Sequence, residues 1–357
     1  MSKCHIAEPA APGYLLPKTG CPRLLLGVFN ERNGQFSLGG VQEQPVLSSR
    51  KIMLSAALLT IFAGASVAQL RRGGGRGFGG VNSGPIVRIE EGGLVNEDTV
   101  RTARETARHS VEMPNWTNAP GFEKDVFTFA RIIFKSRSDG RFPLGWWVDY
   151  PDADLNLSYR LQQLTSMKVD PDARVLKLTD PTLFDFPLIY MEHAGYMQLN
   201  DEEIGHLRRH LLNGGALFVN DFWGTREWEG FAAQMKHVLP ERSWEDLPMD
   251  HPVFHGIFDL KGPLNNLQVP TMQFWNRQYD PGNEQSRVTR YRGEGYEDMH
   301  VRALLDDKRR IMVIAVHNSD ISDGWEREGE NEEYFKEYSE TRAYPLAINI
   351  IFYLMTH

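Results

Sequence analysis

The stretch LIYMEHAGYMQLNDEEIGHLRRHLLNGGALFVND, residues 188–221, decides the fold class. Leu188 to Glu192 and Ala216 to Asn220 are short apolar runs, and their brevity and continuity suit strands buried on both faces. Between them, Asn200 followed three residues later by Glu203 forms a capping box. Ile204, Leu207 and Leu211 then recur on one helical face, and Gly214-Gly215 stops the helix. Strand, capped helix, strand predicts a parallel sheet covered by helices.

The same alternation extends outward. Phe127 to Phe134, Arg174 to Leu178 and Ile311 to His317 are further strand candidates. Asp152 or Asp154 is placed to cap a helix carrying Leu157, Leu161 and Leu164 on one face, and Thr225 to cap one using Trp228, Phe231 and Met235 that Pro240 ends. Ala343 to Met355 reads as a closing helix with Ile348, Ile351, Phe352 and Met355 inward, and the Glu-rich stretch Trp325 to Glu340 as an amphipathic surface helix, with a partner-binding helix as the alternative. Residues 251 to 300, punctuated by glycines and prolines, break the pattern and read as an excursion of loops and short antiparallel strands. The expected class is α/β: a doubly wound, mostly parallel sheet in one domain over residues 122–357, with a loop-rich excursion.

Upstream the sequence changes character. Arg50-Lys51 leads into the apolar run Ile52 to Ala63 and then Ser66-Val67-Ala68, the pattern of a secretory signal peptide over residues 46–68 cleaved after Ala68. A periplasmic or secreted protein follows, with an uncleaved membrane anchor as the alternative and the only expected membrane association. Residues 1–45 precede that signal and read as a start assigned too far upstream, Val46 or Leu47 being alternative initiators. Residues 69–121 read as a linker, with a Gly/Arg tract at Arg71 to Gly80 and an exposed helix over 97–110. Both cysteines, Cys4 and Cys21, precede the signal, so the mature chain holds no disulfide, zinc-thiolate site or cysteine nucleophile. The net charge of −8 gives no basic footprint for nucleic acid.

In an open parallel sheet, ligands bind beyond the carboxyl ends of the strands. That rule selects Glu192-His193, Asn220-Asp221 with Trp223, and His317-Asn318 with Asp320. It also selects the loop Gly145 to Asp154, where Trp146, Trp147 and Tyr150 stand beside Asp149, Asp152 and Asp154. Aromatic faces beside carboxylates suit a carbohydrate-like ligand, whereas capping and core packing account for the same residues without one. His193, Asp221 and His317 have the residue types for a divalent metal. Asp250-His251-Pro252 and His255 are candidates to reach over the same edge. No Gly-x-Gly-x-x-Gly follows a strand and no phosphate-loop lysine motif occurs, so no nucleotide cofactor is expected.

Trp147 to Thr165, Leu217 to Gly224, Asp250 to His255 and His317 to Glu328 together resemble a bacterial family of unknown function, numbered 4159, over roughly Val126 to His357. The resemblance implies an exported bacterial protein and a fold similar to class I glutamine amidotransferases, of flavodoxin-like type. Those enzymes carry a nucleophilic cysteine on the elbow after a central strand; this chain has His193-Ala194-Gly195-Tyr196 there, which argues against glutaminase chemistry. The leading expectation is a non-catalytic binding domain of the cell envelope, taking a carbohydrate-like ligand or a partner protein. The alternative is a hydrolase of a cell-envelope or carbohydrate-related substrate, with His193, Asp221 and His317 holding a metal or acting as acid and base, and Asp149 nearby. A third reading is a structural module tethered by the linker.

Overall fold

The structure, a computed structural model, describes residues 86–89, 93–108, 115–121, 125–137, 145–273, 275 and 294–357. The extension, the signal segment and the Gly/Arg tract read from the sequence lie outside these residues. No helix among the described residues is long and apolar enough to cross a membrane.

A seven-stranded mixed sheet forms the centre. In chain order, β1 (Ile86–Arg88) and β2 (Leu94–Asn96) make a separate hairpin. The chain continues through β3 (Ala130–Ile133), β4 (Lys135–Ser136), α1 (Asp152–Leu164), β5 (Arg174–Lys177), β6 (Leu188–Glu192), β7 (Met197–Gln198), α2 (Asp201–Leu212), β8 (Ala216–Asn220) and α3 (Gly224–Val238). After β9 (Trp244–Asp246) come β10 (His300–Leu305), β11 (Ile311–His317), α4 (Asp323–Glu326), α5 (Glu332–Tyr334), a π-helical stretch over Phe335–Ala343, and α6 (Tyr344–Thr356). The sheet order is β5-β3-β6-β8-β11-β10-β9, the first five parallel and β10 antiparallel to both of its neighbours. Each of the five strand candidates falls on one of those parallel strands. Every residue of β3, β6, β8 and β11 is buried, because α1 and α6 cover one face while α2 and α3 cover the other. Taken alone, the parallel strands run second, first, third, fourth, fifth, so the order reverses between β3 and β6. That reversal opens a crevice at the strands' carboxyl ends.

Local signals hold where they are purely local. Asn200 and Glu203 make the capping box of α2. Of the helix expected over 97–110, the described residues 97–108 show one 3-10 turn, Ala103–Glu105, with Val100 and Ala103 buried, and the Arg101 carbonyl accepts from Val175 N at the edge of β5. Trp325, Tyr334 and Tyr338 are core residues rather than a surface stripe. Leu164 and Met355, expected inside, are exposed on the last turns of their helices. Thr225 does not cap α3, which has Trp223 at its N-cap; the Thr225 hydroxyl donates to Glu294 O. Neither Asp152 nor Asp154 caps α1, whose N-cap is Pro151 with no side-chain capping bond.

Arg131 explains where Asp154 goes instead. Wholly buried in β3, its guanidinium donates from Nε to both Asp154 oxygens at 2.9 and 3.0 Å and from Nη2 at 2.5 Å, while Nη1 donates to Trp146 O and Val148 O at 2.8 and 3.0 Å. Strand, loop and helix are thereby joined through one side chain. Arg131→Met strands a buried carboxylate and is expected to cost about 3–5 kcal/mol, measured by urea unfolding. Arg131→Met with Asp154→Leu is expected to recover most of that loss; a single variant as stable as the parent contradicts the assignment.

Candidate functional site

Four loops leave the carboxyl ends of β3, β6, β8 and β11, and each carries a non-glycine residue in the left-handed region: Asp149 (φ 58°), His193 (φ 52°), Asp221 (φ 52°) and Asn318 (φ 60°). Among the other described non-glycine residues only Ala173 and Arg309 have a positive φ. Aspartate, asparagine and histidine tolerate it better than most residues, yet each still costs about 1–2 kcal/mol. Strain gathered on one edge makes that edge the candidate site.

Three of them, Asp149, His193 and Asp221, aim polar groups at one another, whereas Asn318 bonds Gly224, Gly295 and Asp298. His193 Nδ1 lies 3.2 Å from Asp221 Oδ2, and the Trp223 indole N–H donates to Asp221 Oδ1 at 2.8 Å. Oxygens of Asp149, Glu192 and Asp221 all come within 4.8 Å of one another. Glu192 accepts from the Tyr190 hydroxyl and, at 3.4 Å, from Asn220 Nδ2, and lies 3.9 Å from Arg131 Nη2. Asn220 also donates to Ser322 Oγ at 2.7 Å, which donates to Asp320 Oδ1 at 3.1 Å; Thr271 donates to Asp320 Oδ2 at 2.8 Å. Glu192 and Asn220 are fully buried, while Asp149, Asp320, His193 and Asp221 keep 3, 3, 5 and 5 % exposure. The first pair is the floor and the other four are the rim.

A second trio, Asp149 with Asp323 and Glu326, shares Asp149 with the first. Arg327 Nε meets its charge at 3.2 Å from Asp323 and 2.6 Å from Glu326. The first trio is met by Arg131, 3.9 Å from Glu192, and by His193, 3.2 Å from Asp221; the oxygen donors of both trios suit calcium, magnesium or manganese better than zinc.

Burial works against charging His193, but the hydrogen bond and charge of Asp221, with Glu227 and Glu192 adding to them, raise its pKa to about 9. Burial raises Glu192 to about 8, Arg131 pulling against it and Asp221 adding to it. Asp320 is held well above the carboxylate range by burial and by Asp221, Asp323, Asp149 and Glu192. At neutral pH the edge thus stores protons on a histidine and on carboxyls. His193 Nε2 is buried and has no hydrogen-bond partner among the described residues.

Other sequence candidates are placed elsewhere. His317 belongs to neither carboxylate trio. Its Nε2–H donates to Gly224 O at 3.1 Å, Nδ1 accepts from Arg302 at 3.3 Å, and burial lowers its pKa to about 3, so it is a neutral structural imidazole. Trp146 donates to Glu97 at 2.7 Å and Tyr150 to Thr102 O at 3.1 Å, turning their polar ends toward the segment before β3. Trp147 is half-buried, edge-on to Trp146. Asp152 pairs with Arg108 at 3.1 Å. His251 packs on Tyr353 and His255 bonds Asp259, and neither reaches the carboxyl edge. Sequence reasoning missed Arg131, Glu227, Ser322, Asp323, Glu326 and Arg327. Only Arg131, a lone charge inside Phe127 to Phe134, carried a signal.

A family model described as "Domain of unknown function (DUF4159)" matches residues 128–355. No curated protein matches the chain.

The titrations have a readable sign. Folded His193 and Glu192 hold protons that the unfolded chain releases near 6.5 and 4.5, so their contribution to stability is complete below those values and is lost as pH rises to about 9 and about 8. His210 and His317, pushed down by burial to about 4 and about 3, contribute above 6.5 and lose it as pH falls through those lower values. Stability is expected to fall between pH 6.5 and 8. Glu192→Gln should remove about one proton from that slope, ~1.4 kcal/mol per pH unit, read from urea midpoints; an unchanged slope shows that Glu192 holds no proton there.

Proposed function

Because the chain belongs to the DUF4159 family, whose description carries no activity, we propose a function from its own site: acid–base chemistry on a small polar ligand, the hydrolytic reading over a purely passive binding module. One observation carries the proposal. His193 sits on the strained elbow after β6, oriented through Nδ1 by Asp221, with a buried Nε2 that no described residue bonds. A charged imidazole so placed is a proton donor, and a buried donor without an acceptor is costly unless a ligand supplies one. Glu192, which keeps its proton to about pH 8, supports it as a second donor.

The strand order, with an elbow after the third parallel strand, favours kinship with the class I glutamine amidotransferase-like fold, of flavodoxin-like type; histidine at position 193 directs the chemistry away from glutaminase action. Ser66-Val67-Ala68 and the apolar run before it favour a periplasmic or secreted location, and with it a carbohydrate-related or other cell-envelope substrate. The rim's small exposure favours a compact reacting group over a whole sugar ring.

The test is turnover of a panel of p-nitrophenyl glycosides and esters by the protein and by His193→Gln. A loss of about 100-fold or more is expected in the variant, with circular dichroism showing the same folded state as the parent. No turnover by the parent, or equal turnover by both, contradicts acid–base chemistry.

The convergence of Asp149, Glu192 and Asp221 favours a second reading, divalent-cation binding. Millimolar calcium, magnesium or manganese should then raise the Tm of the parent and leave that of Asp149→Asn unchanged; a parent Tm indifferent to all three cations removes this reading.

A further inference from the structure

We propose that Asn318 is the positioning residue of this site: it docks Gly295 to Asp298 onto the start of α3, so that Tyr296 lies on Trp223 and Trp223 holds Asp221 for His193. Asn318 is wholly buried, and its bonds join three parts of the chain. Its Oδ1 accepts from Gly224 N at 2.8 Å, and Nδ2 donates to Gly295 O and Asp298 O, both at 2.7 Å. Its backbone N–H donates to Phe222 O at 3.0 Å, and its carbonyl accepts from Gln268 Nε2 at 2.6 Å. One acceptor facing an N–H and two donors facing carbonyls is the pattern of a primary amide. Aspartate would turn a carboxylate toward two carbonyl oxygens.

The docked segment is interlocked with α3 through glycines. A Cβ on Gly224 (φ 71°) would stand 2.2 Å from the Tyr296 ring, and one on Gly295 (φ 74°) would stand 2.4 Å from Thr225 Oγ1. Thr225 N also donates to Glu294 O at 3.0 Å. Tyr296 therefore stacks on Trp223, ring centroids 6.5 Å apart and planes 17° from parallel, and the Trp223 indole N–H reaches Asp221 at 2.8 Å. Asn318, named from sequence as a ligand contact, thus acts on the site through the segment it holds. Its catalytic meaning rests on the acid–base reading of His193; the docking does not.

Hydrogen–deuterium exchange on the full chain separates the two. In Asn318→Asp, backbone amides of residues 294–299 should exchange at least tenfold faster while β6 and β8 keep their protection, and the His193 Cε1 proton should exchange at least threefold faster. Unchanged exchange at 294–299 overturns the docking. Faster exchange there with His193 unmoved overturns the positioning role. Trp223→Phe, which keeps a ring under Tyr296 and deletes the indole donor, should alter His193 exchange and leave 294–299 as in the parent. If Asn318→Asp fails to fold, an unaltered His193 in Trp223→Phe overturns the proposal by itself. Absence of turnover in the parent bears on the acid–base reading alone.

Discussion

The buried guanidinium of Arg131 is the interaction on which the rest of the domain depends. A charge in the middle of a strand covered on both faces is tolerable only if it is hydrogen-bonded, and here Asp154 and two loop carbonyls bond all three guanidinium nitrogens. In meeting those donors the protein fixes the chain from Trp146 to Val148, and hence the position of Asp149 next in sequence. Arg131 also stands 3.9 Å from Glu192, on the neighbouring strand across the point where the strand order reverses. The sheet's topology and the site's electrostatics therefore share one side chain.

Around that anchor the edge is assembled at a cost. Four left-handed residues, several proton-holding carboxyls and a charged imidazole are all unfavourable by themselves. They persist because the surrounding sheet over-determines them: β6 and β8 pair in register through Glu192 and Asn220, and α3 closes against the elbow where Gly195 and Gly230 leave no room for a Cβ. A fold that only needed stability would fill such a crevice with apolar side chains. Acid–base groups retained there instead are the feature on which the proposed chemistry rests.

The fold was largely legible in the sequence because its signals are local: apolar runs, one capping box and two stop glycines are read without knowing what lies across space. The site was legible only as an edge. Strands buried on both faces carry no period-2 marker, so nothing in Ile311 to His317 told which way the His317 ring turns, and it turns toward Arg302 and Trp228. Asp152 and Asp154 stand where N-caps stand, and only their distant arginine partners reveal their use. Tyr334 and Tyr338 belong to a segment that changes from α to π winding, which defeats a 3.6-residue pattern. Asn318 was visible as a residue and invisible as a hub, since its partners lie 20 or more residues away.

The account turns on a protonated His193 paired to Asp221, and the most direct measurement is the pH titration of its ring nitrogens by 15N NMR of the histidine-labelled protein, assigned with His193→Gln. The account predicts both nitrogens protonated at pH 7.5, with a transition near 9. A ring that titrates at or below its ordinary 6.5 would be a neutral imidazole at working pH, without the proton that the proposed chemistry uses, and would contradict the account.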